Sequence, residues 1–504
     1  MNTNTMPGRR TKGQPELMEI HQPRRRFSKS QKILFALLLF TLPLANPWVR
    51  GDGVGYYAYA RSLLIEHRLD FTKDWQHGNE SFVMGRIDAD GRVNSAEYTE
   101  TGHIANVWAI GASLLWAPFL AATHAGVLLS DRLEAHIPAD GFSRPYLVTM
   151  ACATVIYGFL GLWFSFSLAR KYLDERWAFL ATLGVWWASS LPVYMYFNPS
   201  WSHAHSAFAV ALFLWYWDRT RGERSIAQWI ILGLLSGLMV DVYYPNGVVL
   251  LVPLLEGLGQ YWRDWNSPDR RRSEIPRLFV RHLMYIGVFI IALLPTLISR
   301  QIIFGGPFRT GYPTAKTWAW GSPSLWKVLF SSDHGMLSWT PILIFALIGL
   351  VLFRRLDAHF ANYLIVAFLA FYAVICFYPD WDGMSSFGNR FFVSLTPFFV
   401  LGLASFFAWL ARAWNERRAA FLVPCALALF IAWNMGLIFQ WGTHLIPARG
   451  AISWRDAAYN QVAVVPLQTA RTLRAYLTRR SQLMGRIEQE DVNRIKSESS
   501  KGSH

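Results

Sequence analysis

Lys32-Ile-Leu-Phe-Ala-Leu-Leu-Leu-Phe-Thr-Leu-Pro-Leu-Ala-Asn-Pro-Trp-Val-Arg-Gly-Asp52 sets an apolar run directly before an acidic residue. A carboxylate at the lip of a membrane helix is costly to keep beside hydrocarbon, and such a residue marks a site more often than a scaffold. The run continues Gly53-Val-Gly-Tyr-Tyr-Ala-Tyr-Ala-Arg61. Gly51, Gly53 and Gly55 permit tight turns and close approach of a ligand. Tyr56, Tyr57 and Tyr59 offer flat amphipathic faces at a lipid–water boundary, where sugars and prenyl chains can stack.

The rest of the chain extends this reading. It has 504 residues, 53% of them hydrophobic, with 24 Trp, 35 Phe and 20 Tyr. Several apolar stretches approach the roughly 20 residues that span a bilayer core, which defines a polytopic membrane protein. The runs are continuous rather than alternating, so the spans are helices and a barrel is excluded. The net charge of +15 is scattered through short linkers between apolar runs, which fits membrane topology and not nucleic-acid binding. Cys152, Cys376 and Cys425 lie in apolar segments with neither disulfide nor metal spacing. The first apolar run has no convincing cleavage site and is expected to be retained as a signal anchor. The closing Lys501-Gly-Ser-His504 has the composition of an added cloning remnant.

Charge sets the expected topology. A basic tail over residues 1–32 places the N-terminus in the cytoplasm. Spans are expected near 33–49, 146–168, 177–197, 204–217, 227–241, 246–261, 282–299, 340–353, 361–378, 391–411 and 419–441. The linkers assigned to the cytoplasm contain 17 Lys or Arg and the four opposing ones contain five. The run 104–129 is long enough to cross, but a crossing would invert every later linker. Pro118 within it predicts a re-entrant or surface-lying pair of half-helices on the outer side. Residues 49–145 then form the first outer loop, inside a transmembrane domain over 33–441, and 442–504 form a C-terminal tail. Arg471, Arg474, Arg479 and Arg480 alternate there with Leu473, Tyr476, Leu477 and Leu483 in a helical pattern suited to a membrane surface.

Five segments carry a family resemblance: the loop opening at Asp52, Ile110-Gly-Ala-Ser-Leu-Leu-Trp-Ala-Pro118, Asn198-Pro-Ser-Trp-Ser-His-Ala-His205, His334-Gly-Met-Leu-Ser-Trp-Thr-Pro341 and Ser385-Ser-Phe-Gly-Asn-Arg-Phe391. Over roughly residues 33–440 the chain resembles the GT-C superfamily of integral-membrane glycosyltransferases. The later segments look like its bacterial branch, akin to protein O-mannosyltransferases and lipid A aminoarabinose transferases. The resemblance implies an all-α GT-C-type bundle of eleven to thirteen transmembrane helices with a structured first extracytoplasmic loop. It also implies a bacterial inner-membrane location with a periplasmic active site, a sugar donor on a polyprenyl phosphate, and Asp52 as general base or acceptor-orienting residue. A lone Asp followed by Gly departs from the adjacent acidic pair frequent in the mannosyltransferases, so the acceptor is left as lipid, glycan or protein.

Such a transfer needs a carboxylate for the acceptor proton, fixed positive charge for the leaving phosphate, and a groove for the prenyl chain. Membrane lipids are therefore expected partners, and nucleic acid is not. Arg390, after Gly388 and at the start of a span, is the leading phosphate ligand, because a guanidinium offers phosphate a two-pronged fork. His334 and His103 are further candidates for the phosphate. Tyr56, Tyr57, His203, Trp381 and Asp382 are candidates for sugar or acceptor. Asp380 and Asp382 could instead complete a divalent-cation site, Mg or Mn, with Asp52. No nucleotide-sugar signature with paired Asp residues on a soluble sheet domain is present, which favours a lipid-linked donor. A transporter or flippase of lipid-linked saccharides would place charge within the spans. A glycan polymerase or ligase would share the donor but not the early Asp loop.

Overall fold

The computed structural model describes residues 27–134, 136–267, 274–312 and 315–501, so most of the basic N-terminal tail and the last three residues lie outside the described residues. The longer helices are α1 (Lys29–Thr41), α2 (Asp52–Arg61), α3 (Gly111–Asp131), α4 (Arg144–Tyr172), α5 (Glu175–Trp187), α6 (His203–Thr220), α7 (Ile226–Val242), α8 (Leu251–Trp265), α9 (Ile275–Ala292) and α10 (Leu294–Phe304). They are followed by α11 (Ile342–Leu352), α12 (Ala358–Phe377), α13 (Thr396–Trp414), α14 (Glu416–Gly442), α15 (Trp454–Ala463), α16 (Val465–Thr478) and α17 (Arg480–Lys501). Among the described residues there is no strand beyond two isolated bridges in the first loop. The chain is an all-α polytopic membrane protein, with six helices among the described residues long and apolar enough to cross a bilayer.

Helix starts follow local chemistry. Ser28 with Gln31 and Ser225 with Gln228 form capping boxes, and Asp174 and Asp357 accept backbone N–H groups at the starts of α5 and α12. Within lipid, helices gain little from hydrophobicity against one another, so small residues that admit close backbone contact matter most. A Cβ on Gly349 of α11 would stand 1.8 Å from the Gly402 carbonyl of α13, and one on Gly402 would stand 2.1 Å from the Ala346 carbonyl. These helices therefore touch backbone to backbone.

The bundle has two chemically different ends. At one, Lys171 and Arg221 pair with Asp218, Arg221 also pairs with Asp357, and Arg224 pairs with Glu256. This end gathers the basic linkers. At the other, Thr41 Oγ1 meets the Tyr196 hydroxyl at 2.9 Å and the Asn46 N–H donates to Tyr196 O, bringing the end of α1 beside the approach to residue 198. The charge alternation read along the chain is thus a separation in space.

One expectation is corrected. Residues 111–131 form a single helix that continues through Pro118, not two half-helices. The Tyr157 hydroxyl donates to Leu115 O, supplying a partner to a carbonyl beside the interrupted ladder. α3 runs antiparallel to α4: Trp116 bonds Thr154, Thr123 bonds Thr149, and His124 bonds Tyr146. Those pairings confine α3 to the first half of α4, away from the ion-paired end, although its length and hydropathy would suit a crossing.

The first loop is tied down by buried arginines. Arg61 grips Asp74 through two 2.6 Å bonds and reaches Glu66 at 3.0 Å. Arg300 on α10 donates to the carbonyls of Asn106, Val107 and Trp108 at 2.7–2.8 Å, fixing the approach to α3. The tail returns to the same end: Tyr476 donates to Leu44 O, and Arg50 pairs with Asp491 at 2.6 Å.

Gly402→Val is expected to destabilise the bundle at the upper end of the about 1–3 kcal/mol typical of overpacking, because the obstructing atom is backbone. A thermal-unfolding series in detergent checks this, with Ser405→Ala as the comparison.

Candidate active site

The Asp52 segment is built by its glycines. Gly51 has φ +51°, a conformation L side chains rarely adopt, and it turns the chain so that Asp52 opens α2. A helix N-terminus favours a negative charge there. Gly53 and Gly55 serve close approach, but to the protein itself: a Cβ would stand 1.9 Å from Ser200 Oγ and 1.8 Å from Trp108 Cε3 respectively. The ligand contact expected of these two glycines is replaced by packing of α2 on the 198–202 turn and on Trp108.

Asp52 Oδ2 accepts a 2.7 Å bond from Arg390 Nη1, linking the first loop to the approach to α13. The Arg390 guanidinium lies over Trp201 at 4.4 Å, and Trp201 Nε1 donates to Arg50 O. Arg390 Nε is buried without a partner. The carboxylate keeps a quarter of its side chain exposed, against 8% for Arg390. That exposed side faces a cavity of about 1300 Å³. Its walls are mainly apolar, with Leu39 and Phe40 from α1, Met435 and Phe439 from α14, and Leu473 and Met484 from the tail. Arg50, Arg449 and His444 join Asp52 on the polar side.

The sequence-predicted residues divide into groups. Asp52 and Arg390 are in direct contact, with Arg390 behind Asp52 and off the cavity wall. Tyr56 is buried against Trp108, and the Tyr57 hydroxyl donates to Gly141 O at 2.7 Å, so neither presents a face to the cavity. His203 is buried edge-on to Tyr194 and Tyr243. His103 meets Thr101 in the first loop and does not line the cavity. Trp381 accepts a bond from Asn389 through its backbone carbonyl and packs against the core. His334 and Asp382 lie close together, joined by Asp333 and not by Asp52. Burial pushes the His334 imidazole down to about 4, so it is neutral at pH 7, and burial raises the Asp333 carboxyl.

Sequence reasoning did not single out Trp201, Arg50, Arg449 or the tail as parts of the site. Trp201 stands within the quoted 198–205 segment, and the amphipathic spacing of 471–483 was the only sign that the tail had an apolar face to cover. The tail is held by charge: His444 bonds Glu490 at 2.7 Å, Asp491 pairs with Arg50, and Asn79 and the Ser81 N–H donate to Glu488.

No family model matches the chain, and no curated protein matches it. Among solved structures it is similar to the crystal structure of ArnT from Cupriavidus metallidurans in the apo state. That match has 13% identity and a TM-score of 0.44, covering 81% of this chain and 71% of that one. It is also similar to the archaeal oligosaccharyltransferase AglB from Archaeoglobus fulgidus in complex with an inhibitory peptide and a dolichol-phosphate. There the identity is 13% and the TM-score 0.48, with 86% of this chain and 54% of that one covered.

The Asp491 and Glu490 carboxylates hold His444 above the usual histidine value, against the opposing effect of burial. A raised folded pKa gives a contribution that is complete below the ordinary histidine range and fades as pH rises through the raised value. Tail docking should therefore loosen on the alkaline side. Limited proteolysis of α17 should speed up with rising pH in the parent protein, and lose that pH dependence in His444→Gln.

Proposed function

We propose that this chain is a GT-C-type glycosyltransferase of a bacterial inner membrane, with its N-terminus cytoplasmic and its site on the periplasmic face. It moves a sugar from a polyprenyl phosphate to an acceptor hydroxyl. The observation that carries the reading is Asp52, held by Arg390 from behind, on the wall of a large apolar cavity. Support comes also from the sequence resemblance and from the scarcity of positive charge in the linkers at the site end.

In this reading the prenyl chain lies along Leu39, Phe40, Phe439 and Leu473, where hydrocarbon meets hydrocarbon. Its phosphate is met by Arg449, exposed and on the wall, and feels the charge of Arg390 from just behind Asp52. These stabilise the negative charge that grows as the anomeric C–O bond breaks. Arg390 holds one oxygen of Asp52, leaving Oδ1 to receive the acceptor proton as the hydroxyl oxygen attacks. One carboxylate suffices for a single displacement with inversion, because no covalent intermediate is needed. The products are the glycosylated acceptor and the free polyprenyl phosphate.

Asp52→Asn keeps a carbonyl oxygen for Arg390 and so should preserve the fold. It should lower the turnover number by about 10²–10⁴-fold, the usual contribution of a positioned base. The assay is turnover of a panel of polyprenyl-phosphate sugars by protein in nanodiscs; a rate within a few-fold of the parent removes Asp52 from the chemistry. Arg449→Gln should mainly raise the KM for the lipid donor.

A further inference from the structure

We propose that Asp333, His334 and Asp382 form a binding site for a divalent transition cation of the zinc or manganese type, clasping the 331–335 turn to the 379–389 loop. The claim concerns metal binding alone and does not rest on the transferase reading.

One ligand atom from each of the three residues lies within 4.8 Å of the others, which among the described residues is the one such group. The second observation is the state of the imidazole. His334 is fully buried, and neither Nδ1 nor Nε2 has a hydrogen-bond partner. Asp333 Oδ1 is likewise buried without one. A neutral imidazole always carries one N–H donor and one acceptor, and burying both unmet is costly. Yet His334 Nδ1 and Asp333 Oδ1 stand 3.3 Å apart without hydrogen-bond alignment. Two ligands about 2.0–2.1 Å from a tetrahedral ion are separated by about 3.3 Å, so this pair stands at a spacing that two donors on one ion adopt.

Donor chemistry narrows the ion. One imidazole with two carboxylates suits zinc or manganese, whereas calcium and magnesium take oxygen ligands. Access is available, because Asp333 keeps 27% of its side chain exposed beside the buried histidine.

The clasp has a structural target. The Trp339 indole and the Ile452 N–H both donate to Ser332 O, so the turn is already joined to α11's approach and to the segment behind Arg449. Its other side, Asp382, precedes Gly383, whose Cβ would stand 3.2 Å from Arg390 Nε. A cation here would make Asp382 a positioning residue for the loop that delivers Arg390, and not a group that touches a reacting atom.

The test uses full-length protein without a polyhistidine tag, stripped with chelator and titrated with Zn²⁺ or Mn²⁺ by calorimetry, with elemental analysis for stoichiometry and no sugar donor present. The parent protein should bind one saturable equivalent and gain thermal stability on loading. Asp382→Asn and His334→Gln should each weaken binding at least tenfold and lose the stabilisation, while Asp380→Asn and Asp52→Asn should bind as the parent does. Asp382 is half-exposed, so its variant decides the matter should His334→Gln fail to fold. A parent protein without a saturable equivalent, or an Asp382→Asn protein that binds unchanged, overturns the site. Loss of the metal in Asp52→Asn also overturns it, because the ion would then belong with Asp52.

Discussion

A carboxylate beside hydrocarbon must be neutralised, and Asp52 is neutralised by a residue 338 positions away in the chain. That single contact imposes most of the architecture around it. Arg390 has to arrive at the start of α13 from the site end of the bundle, and Trp201 has to sit beneath its guanidinium. Gly51 must turn the chain, and Gly53 must let α2 lie against Ser200. Three separate stretches, around residues 51–53, 200–201 and 390, are needed for the carboxylate and the guanidinium to meet beside an apolar hollow.

The remaining polar groups at this end act mainly as braces. Arg300 holds three consecutive carbonyls of the approach to α3, and Arg61 neutralises Asp74 inside the first loop. Backbone at this depth cannot leave its polar groups to water, so a buried guanidinium with several donors is an economical partner for irregular chain. The tail is a different case. It is held by hydrogen bonds and ion pairs at its polar face, through Glu488 and Asp491, while Leu473 and Met484 face the cavity.

What was legible beforehand follows from what local pattern encodes. The expected spans overlap helical segments, and six helices among the described residues are long and apolar enough to cross a bilayer, because apolar length is a property of consecutive residues. Asp52 and Arg390 stood out for the same reason: each is a charge at the border of an apolar run. Pro118 misled because the loss of one ladder bond is a local fact, whereas the packing of α3 along α4, with the Tyr157 hydroxyl donating to Leu115 O, comes from another helix. The glycines of the first loop looked like room for a ligand, since nothing in the sequence says that Ser200 and Trp108 would fill it. Asp382 was joined to Asp52 in expectation; its proximity to Asp333 and His334 depends on how two distant loops fold over each other.

The cavity wall draws on residues from Leu39 to Ile495. A chain threaded into a bilayer from its amino end therefore carries Asp52 uncapped until some 340 further residues have been made, and the chamber stays unroofed until translation is almost over. No truncated product of the ribosome can hold the finished hollow, so insertion and completion of the cavity are separated in time by the order of the polypeptide itself.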